Sequence, residues 1–126
     1  MNERRFVVSV SFDCMLSEQE LTQVIGASID WFSPVGKRLP NGRIRTTSLA
    51  HKYFEKQSSE DLEEVLERVI VWLERFAPIH GVDLMVTIFF PRTGTSFLPV
   101  EVSGTQIDAL LGLGCAIDFD DVLIDD

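Results

Sequence analysis

The sequence has few of the residues on which metal and redox sites depend. Its 126 residues include only two cysteines and two histidines, and the cysteines, Cys14 and Cys115, are far apart. No Cys-x-x-Cys pair occurs, and His51 and His80 have no His or Cys at ligand spacing, which excludes the usual zinc and dithiol motifs. We expect two buried structural thiols, with one disulfide between them as the alternative. We expect no metal site and no cofactor.

Motifs for catalysis are also absent. Ser96 and Ser103 lack the Gly-x-Ser-x-Gly turn of a nucleophilic serine, and neither cysteine has a histidine nearby in sequence. The segment PRTGTS lacks the lysine of a phosphate-binding loop, and the aspartate-rich segment 118–126 lacks the glycine that a calcium loop requires. The sequence therefore identifies no catalytic residue and favours a protein that is not an enzyme, although it leaves an enzyme open.

Long hydrophobic runs are missing as well. No stretch approaches the ~18 consecutive apolar residues of a transmembrane helix. The apolar run near the start alternates with polar residues over Arg5–Asp13, which fits a half-buried strand better than a signal peptide. We expect a cytoplasmic protein.

Basic residues are scarce, with 11 Lys and Arg against 20 Asp and Glu and a formal net charge of -9. Proteins that bind phosphate-rich surfaces usually carry a net basic domain, so we expect neither nucleic acid nor a membrane as a partner. A hydrophobic fraction of 45% in a chain of this length predicts one globular domain over residues 1–126.

The strongest pattern present is a long amphipathic helix over Ser58–Phe76. Its apolar residues recur three and four apart, which places them on one face. Ser58 is the predicted N-cap with Asp61 three residues later, and Pro78 ends the run. Acidic residues occupy the other face: Glu60, Glu63, Glu64 and Glu67. This acidic surface meets either a basic part of the same molecule or a basic partner.

Two shorter helices are predicted after Ser17 and Ser103, each with Glu or Gln at the capping-box position and a glycine near its end. Strands are predicted at Val82–Phe90 and Cys115–Phe119, with an acidic tail from Asp120 onward. These elements predict an α+β domain with a mostly antiparallel sheet, one long helix and two short ones, in a ferredoxin-like layout or as duplicated βαβ-type units.

A similar pattern occurs in both halves of the chain. In each, a β-rich run is followed by Ser, a short helix, Gly and then Ile-Asp-aromatic, which places Asp30 and Asp118 at matching points. Either the pattern reflects an internal duplication, or any capped helix that leads to a strand produces it. In both cases we expect these aspartates to be structural rather than catalytic.

The order of the elements and the closing stretch ALLGLGCAIDFDDVLID resemble the uncharacterised bacterial family "domain of unknown function four-two-seven-nine". The resemblance covers nearly the whole chain and rests on Gly112, Gly114, Asp118 and Asp120. It implies a fold and no activity, because no catalytic residue is established for that family. The sequence departs from the family pattern after Asp120: Asp121 follows, where an aliphatic and then an aromatic residue are usual.

A basic, aromatic hairpin over residues 31–56 is the remaining feature. No acid occurs between Asp30 and Glu55, and Asn41-Gly42 predicts a turn between the arms Lys37–Pro40 and Arg43–Phe54. The cations are Lys37, Arg38, Arg43, Arg45, Lys52 and Lys56, and the aromatic residues are Trp31, Phe32, Tyr53 and Phe54. Either the cations pair with acids of the same molecule or are solvated, or the hairpin is a recognition surface for a carboxylate or phosphate.

Two functions follow from these features. The first is a non-enzymatic protein-interaction module, such as an immunity or adaptor protein, whose partner is another protein; a homo-oligomer is also compatible with the sequence. The alternative is a protein that binds a small anionic ligand, or an enzyme with only weak sequence signals, that uses hairpin 31–56 as its site. The candidate binding residues are Trp31, Lys37, Arg38, Arg43, Arg45, Tyr53, Glu60, Glu63, Glu64 and Glu67.

Overall fold

Five strands and three helices make up the fold in this computed structural model, which describes residues 6–57, 59–93 and 102–124. In order they are β1 (Val7–Cys14), α1 (Glu18–Ile25), β2 (Trp31–Ser33), β3 (Ser48–Glu55), α2 (Leu62–Leu73), β4 (Asp83–Thr93), α3 (Gly104–Gly112) and β5 (Cys115–Ile124). The predicted α+β class is confirmed. None of the described helices combines the length and hydrophobicity needed to cross a bilayer.

The strands form one mixed sheet in the order β2-β3-β1-β4-β5. The pairs β2–β3, β3–β1 and β1–β4 are antiparallel, whereas β4 and β5 are parallel. This corrects the predicted mostly antiparallel sheet. The reason is the crossover through α3, because a helix between two neighbouring strands returns the chain in the same direction.

The last strand is longer than predicted. β5 was expected over Cys115–Phe119 with an acidic tail, yet it pairs with β4 from Leu84↔Cys115 to Thr93↔Ile124. The backbone of β4 needs hydrogen-bond partners over its whole length, and Val122 and Ile124 favour the extended conformation. Only residues 125–126 of the expected tail lie outside the described residues.

The helix predicted over Ser58–Phe76 is shorter at both ends. Asp61 is its N-cap, with Glu64 in the reciprocal capping-box position, and Ser58 lies outside the described residues. After Leu73 the chain closes with i→i+3 hydrogen bonds, including Phe76 N–H to the Leu73 carbonyl at 3.1 Å, ahead of Pro78. The prediction of one long helix is therefore not confirmed.

The other helices start at the predicted caps. Ser17 and Glu20 form a full capping box, and Gly26 ends α1 with a φ of 75°. Ser103 caps α3 by accepting the Gln106 N–H. The predicted capping box at Gln106 does not form, because the Gln106 Nε2 instead donates to the Glu63 carbonyl of α2 at 2.8 Å.

The hydrophobic core lies between one face of the sheet and the helices. Val8, Val10 and Phe12 of β1 are fully buried, and the Phe12 ring lies 6.1 Å from the Trp72 ring of α2. Side chains alternate across a strand, so Ser9, Ser11 and their neighbours in register point to the opposite face. That opposite face is called the open face below.

The two similar halves of the sequence are not placed equivalently. β4, α3 and β5 form a parallel unit of neighbouring strands, whereas β3 lies between β1 and β2. Asp30 precedes β2, but Asp118 lies within β5. The two aspartates therefore do not occupy matching positions.

Candidate functional site

A row of residues crosses the middle of the open face, one from each strand. The strand register places them side by side in the order Trp31, His51, Ser11, Met85 and Ala116. Directly opposed residues share a face of the sheet, so these five form one continuous strip, called the open-face row.

Three aromatic rings stack at one end of this row. The Trp31 and His51 rings lie 5.0 Å apart across β2 and β3, with 26° between their planes. Tyr53 follows His51 by two positions on β3, so it shares the face, and its ring lies 5.9 Å from the imidazole. Trp31 is 41% exposed, Tyr53 42% and Met85 41%. Large side chains of these types dominate protein contact surfaces.

His51 is held at the centre of the stack. Its Nδ1 and the Ser11 Oγ are hydrogen-bonded at 2.9 Å. Burial first, and then the nearby positive charge of Arg45, lowers the pKa of His51 below its ordinary value. The imidazole is therefore neutral at neutral pH, and it stacks between the two exposed rings as an uncharged aromatic residue.

The Ser11–His51 pair lacks the other parts of a nucleophilic site. No described carboxylate hydrogen-bonds to the imidazole, so nothing orients it as a triad acid would. Ser11 lies mid-strand between β3 and β4, where backbone N–H groups are used by the ladders and are not free to hold an oxyanion. The arrangement is suited to contact rather than to acyl transfer.

A short ribbon over residues 36–45, called the basic ribbon, extends from the loop between β2 and β3. The Leu39 N–H donates to the Arg43 carbonyl at 2.7 Å, and the Arg45 N–H donates to the Lys37 carbonyl at 2.9 Å. The predicted turn at Asn41-Gly42 is present, with Gly42 at a φ of 85°. The second arm, predicted over Arg43–Phe54 as a partly irregular strand, is interrupted in the structure: pairing within the ribbon stops at Arg45, and β3 begins at Ser48.

The basic ribbon carries charges that the described part of the chain does not neutralise. Lys37, Arg38 and Arg43 are exposed, and Arg45 is half-buried beside His51. Among the described residues none of these four side chains forms an ion pair or hydrogen bond, and the buried Nε of Arg45 has no acceptor. The expected pairing with the acidic helix is therefore not seen there, and the cations adjoin the open-face row through Arg45.

Other members of the predicted hairpin serve the structure. Asp30 Oδ2 accepts the Tyr53 N–H at 2.7 Å and lies 3.9 Å from the Lys52 ammonium, which fixes the end of β2 against β3. A groove of about 690 Å³ at this end is lined by Lys52, Lys56, Arg68, Asp30 and Glu55 among others. It carries charges of both signs, and Lys52 and Arg68 are paired with Asp30 and Glu60.

The remaining predicted aromatic residues face the core. Phe54 packs its ring 5.3 Å from the Trp72 ring, and Phe32 is half-buried against the core. Both occupy the face opposite to Trp31 and Tyr53 because they differ from them by one position along the strand. Two of the four predicted aromatic residues thus lie on the open face and two face the core.

The predicted acidic surface of α2 divides into two parts. Glu60 accepts hydrogen bonds of 2.7 and 2.8 Å from Arg68, and these, with the Gln57 N–H, hold the pKa of Glu60 below its usual range. Glu64 completes the capping box with Asp61. Glu63 and Glu67 are exposed and form no ion pair with any described residue.

The two cysteines are buried free thiols, so the alternative disulfide is absent. Burial raises the pKa of both, that of Cys115 to about 11, which keeps them protonated and unreactive at neutral pH. Within residues 6–57, 59–93 and 102–124, no group of three or more His, Cys, Asp or Glu side chains is placed to hold a metal ion.

The residues predicted from the sequence include Trp31, Tyr53 and Arg45 but not the residues that lie between them on the open face. His51, treated there only as an isolated histidine, is the centre of the stack, and Ser11 and Met85 extend the row. The sequence did contain one signal for His51: it lies two positions before Tyr53 in a predicted strand, and residues two positions apart share a face of the sheet. The contact with Trp31 depends on the register of β2, which no local pattern shows.

Comparison with known proteins adds nothing to this description. No family model matches the chain, and no curated protein or solved structure matches it. The resemblance to the family of unknown function therefore stays a prediction.

Proposed function

We propose that this protein is a non-enzymatic protein-binding module that contacts an acidic partner protein through the open-face row and the basic ribbon. One observation carries the proposal: the exposed rings of Trp31 and Tyr53 stack on His51, and His51 lies near the charge of Arg45, which has no counter-ion in the described chain. Trp, Tyr and Arg are the residues most enriched among those that dominate binding energy. A carboxylate of the partner would supply the acceptor that Arg45 lacks.

The shape of the surface favours a macromolecular partner. The open face is a pleated sheet, whereas sites for small molecules are concave and enclose most of the ligand. Met85 lies in the same row at 41% exposure and extends the apolar area beyond the rings. A partner surface lying across several strands would cover the rings, Met85 and the ribbon together.

The finer assignments belong to the same proposal. The element order β1-α1-β2-β3-α2-β4 and the neighbours β2-β3-β1-β4 support a ferredoxin-like layout to which α3 and β5 are added. An immunity or adaptor protein of the cytoplasm is the proposed type. Small size and the incomplete Ser11–His51 pair support it.

A small anion is the second candidate ligand of the same surface. The observation that favours it is the buried Nε of Arg45, which has no hydrogen-bond acceptor. Buried donors are almost always satisfied, and a phosphate or carboxylate oxygen beside His51 would satisfy this one. This candidate needs only Arg45 and its surroundings, whereas the protein-binding proposal needs the whole row.

Affinity capture from the native host distinguishes the two candidates. The bait is wild-type protein, the variant is Arg43→Ala/Arg45→Ala, and Arg75→Ala is the control because Arg75 is exposed on another element. We expect one protein to be captured by wild type and control and lost by the double variant. Equal capture by all three baits contradicts the proposed surface. No captured protein, together with a thermal shift in inorganic phosphate that the double variant abolishes, supports the small anion instead.

A further inference from the structure

A groove between α2 and α3 has the opposite charge to the basic ribbon. Its volume is about 380 Å³. It is lined by Glu67 and Ile70 of α2 with the C-cap Glu74, and by Gln106 and Ala109 of α3 with the C-cap Leu113. Glu67, Ile70 and Glu74 are three and four positions apart, so they share one face of the helix. No Lys or Arg lines the groove, and neither glutamate forms an ion pair with a described residue.

The backbone adds negative potential at one end of this groove. Gln106, near the start of α3, is hydrogen-bonded to Glu63, near the start of α2. The C-caps of the two helices, Glu74 of α2 and Leu113 of α3, both line the groove. The helices therefore run in the same direction and end together. Helix C-termini carry partial negative charge, and neither helix has a basic residue in its last turn.

A buried acceptor in the groove wall also has no donor. Gln106 is only 5% exposed, its Nε2 is bonded to Glu63, and its Oε1 has no hydrogen-bond partner. Buried carbonyl oxygens in folded proteins are almost always hydrogen-bonded, because an unbonded one loses its contacts with water without replacement. A cationic N–H group is the chemical complement of this oxygen, of the two carboxylates and of the helix ends.

We propose that the α2–α3 groove is a docking site for a basic peptide segment of a partner protein. Glu67 and Glu74 are seven residues apart on a helix, which corresponds to ~10.5 Å along its axis. In the polyproline II conformation, which has three residues per turn, two side chains three residues apart share one face and are separated by ~9 Å. A segment of the form Lys-x-x-Lys, or its arginine equivalent, bound in this conformation therefore places one cation at each glutamate, with its backbone over Ile70 and Ala109.

The test uses the capped peptide Ala-Lys-Ala-Leu-Lys-Ala, titrated into isotope-labelled full-length protein and followed by NMR. We expect shifts at the Gln106 side-chain amide and the Gly112 backbone amide. Glu67→Gln/Glu74→Gln should weaken binding by about tenfold, whereas Glu18→Gln/Asp83→Asn, which removes the same charge from exposed sites elsewhere, should change it by less than about twofold.

A second variant tests the shape of the groove separately from its charge. Gly112 lines the groove, and a Cβ built there meets nothing within 4 Å, so Gly112→Leu adds side-chain volume at the groove from a Cβ that has free space. We expect this variant to fold and to lose peptide binding. The proposal is overturned if either groove variant binds as wild type does, if the corresponding glutamate peptide binds equally well, or if the shifts centre away from Gln106. Arg43→Ala/Arg45→Ala should leave peptide binding unchanged, which separates this result from the open-face proposal.

Discussion

At the scale of single residues, His51 shows how a minor feature of the sequence becomes central in the fold. It stacks on Trp31 and Tyr53, bonds to Ser11 and lies beside the charge of Arg45. Each of these contacts favours the neutral imidazole or is compatible with it. The stack therefore depends on the protonation state of one ring.

The lowered pKa of His51 predicts a specific pH dependence of stability. As pH falls below the ordinary histidine value of ~6.5, the unfolded chain binds a proton at this position before the folded chain does, so unfolding becomes easier. Urea unfolding measured between about pH 5.5 and 7.5 should show stability rising with pH in wild type. His51→Phe should reduce that slope. His80→Asn, which removes the other imidazole, should retain it, and a wild-type slope in the His51 variant would contradict the account.

Residue types indicated part of this surface, because Trp, Tyr and Arg in one acid-free stretch made a recognition surface one of the two interpretations of the hairpin. They did not predict which aromatic residues point outward. Trp31 and Phe32 are adjacent in sequence, yet only Trp31 stacks on His51 while Phe32 packs against the core. The difference depends on the phase of a three-residue strand, which is set by pairing with β3 rather than by its own sequence.

At the scale of the elements, glycines near the end of α3 have opposite requirements. Gly112 is the last residue of the helix and has open space around its Cα. Gly114 has a φ of 82°, and a Cβ at this position would lie 3.3 Å from the Pro78 Cβ. The tight turn from α3 into β5 thus depends on Gly114 alone.

Alanine at these two positions should therefore act in opposite directions. Gly114→Ala should destabilise the protein by ~1–2 kcal/mol, the cost of a left-handed conformation for a residue with a Cβ, with the Pro78 contact adding to it. Gly112→Ala should be neutral or stabilise by up to ~1 kcal/mol because alanine favours the helix. Chemical denaturation of both variants measures this, and equal effects would show that the turn is not placed as described.

Local signals predicted where elements begin, but not how they assemble. The Ser17–Glu20 capping box and the Ser103 cap were visible in the sequence because each satisfies N–H groups within one turn. The parallel β4–β5 pair and the length of β5 were not, since they depend on backbone groups of a distant strand. Asp61 replaced Ser58 as the cap of α2 because both residues suit the role and only the fold selects between them.

At the scale of the molecule, charge is segregated onto separate surfaces. The basic ribbon carries four cations, of which Arg45 lies near His51 of the open-face row, while Glu67 and Glu74 line a groove among the helices. The ion pairs between described residues are Lys52–Asp30 and Arg68–Glu60. Among the described residues, the four ribbon cations and the two groove glutamates are therefore not paired with each other.

This distribution predicts different salt dependences for folding and for binding. Raising the ionic strength from ~0.01 M to ~1 M shortens the Debye length from ~30 Å to ~3 Å. The melting temperature should change little or rise, because the net charge of -9 repels itself and few ion pairs are lost. Affinity for the captured partner should fall over the same range. Parallel decreases in melting temperature and affinity would indicate that the charges stabilise the fold instead.

The open-face row is tested most directly by the affinity of the captured partner for Trp31→Ala, measured by calorimetry. Leu111→Ala is the matched control, because Leu111 is also a large exposed apolar side chain but lies on α3. We predict a loss of about thirtyfold or more for Trp31→Ala, corresponding to ~2 kcal/mol for a central aromatic contact, and less than about twofold for the control. Unchanged affinity in a folded Trp31→Ala variant would contradict the assignment of the open face as the binding surface.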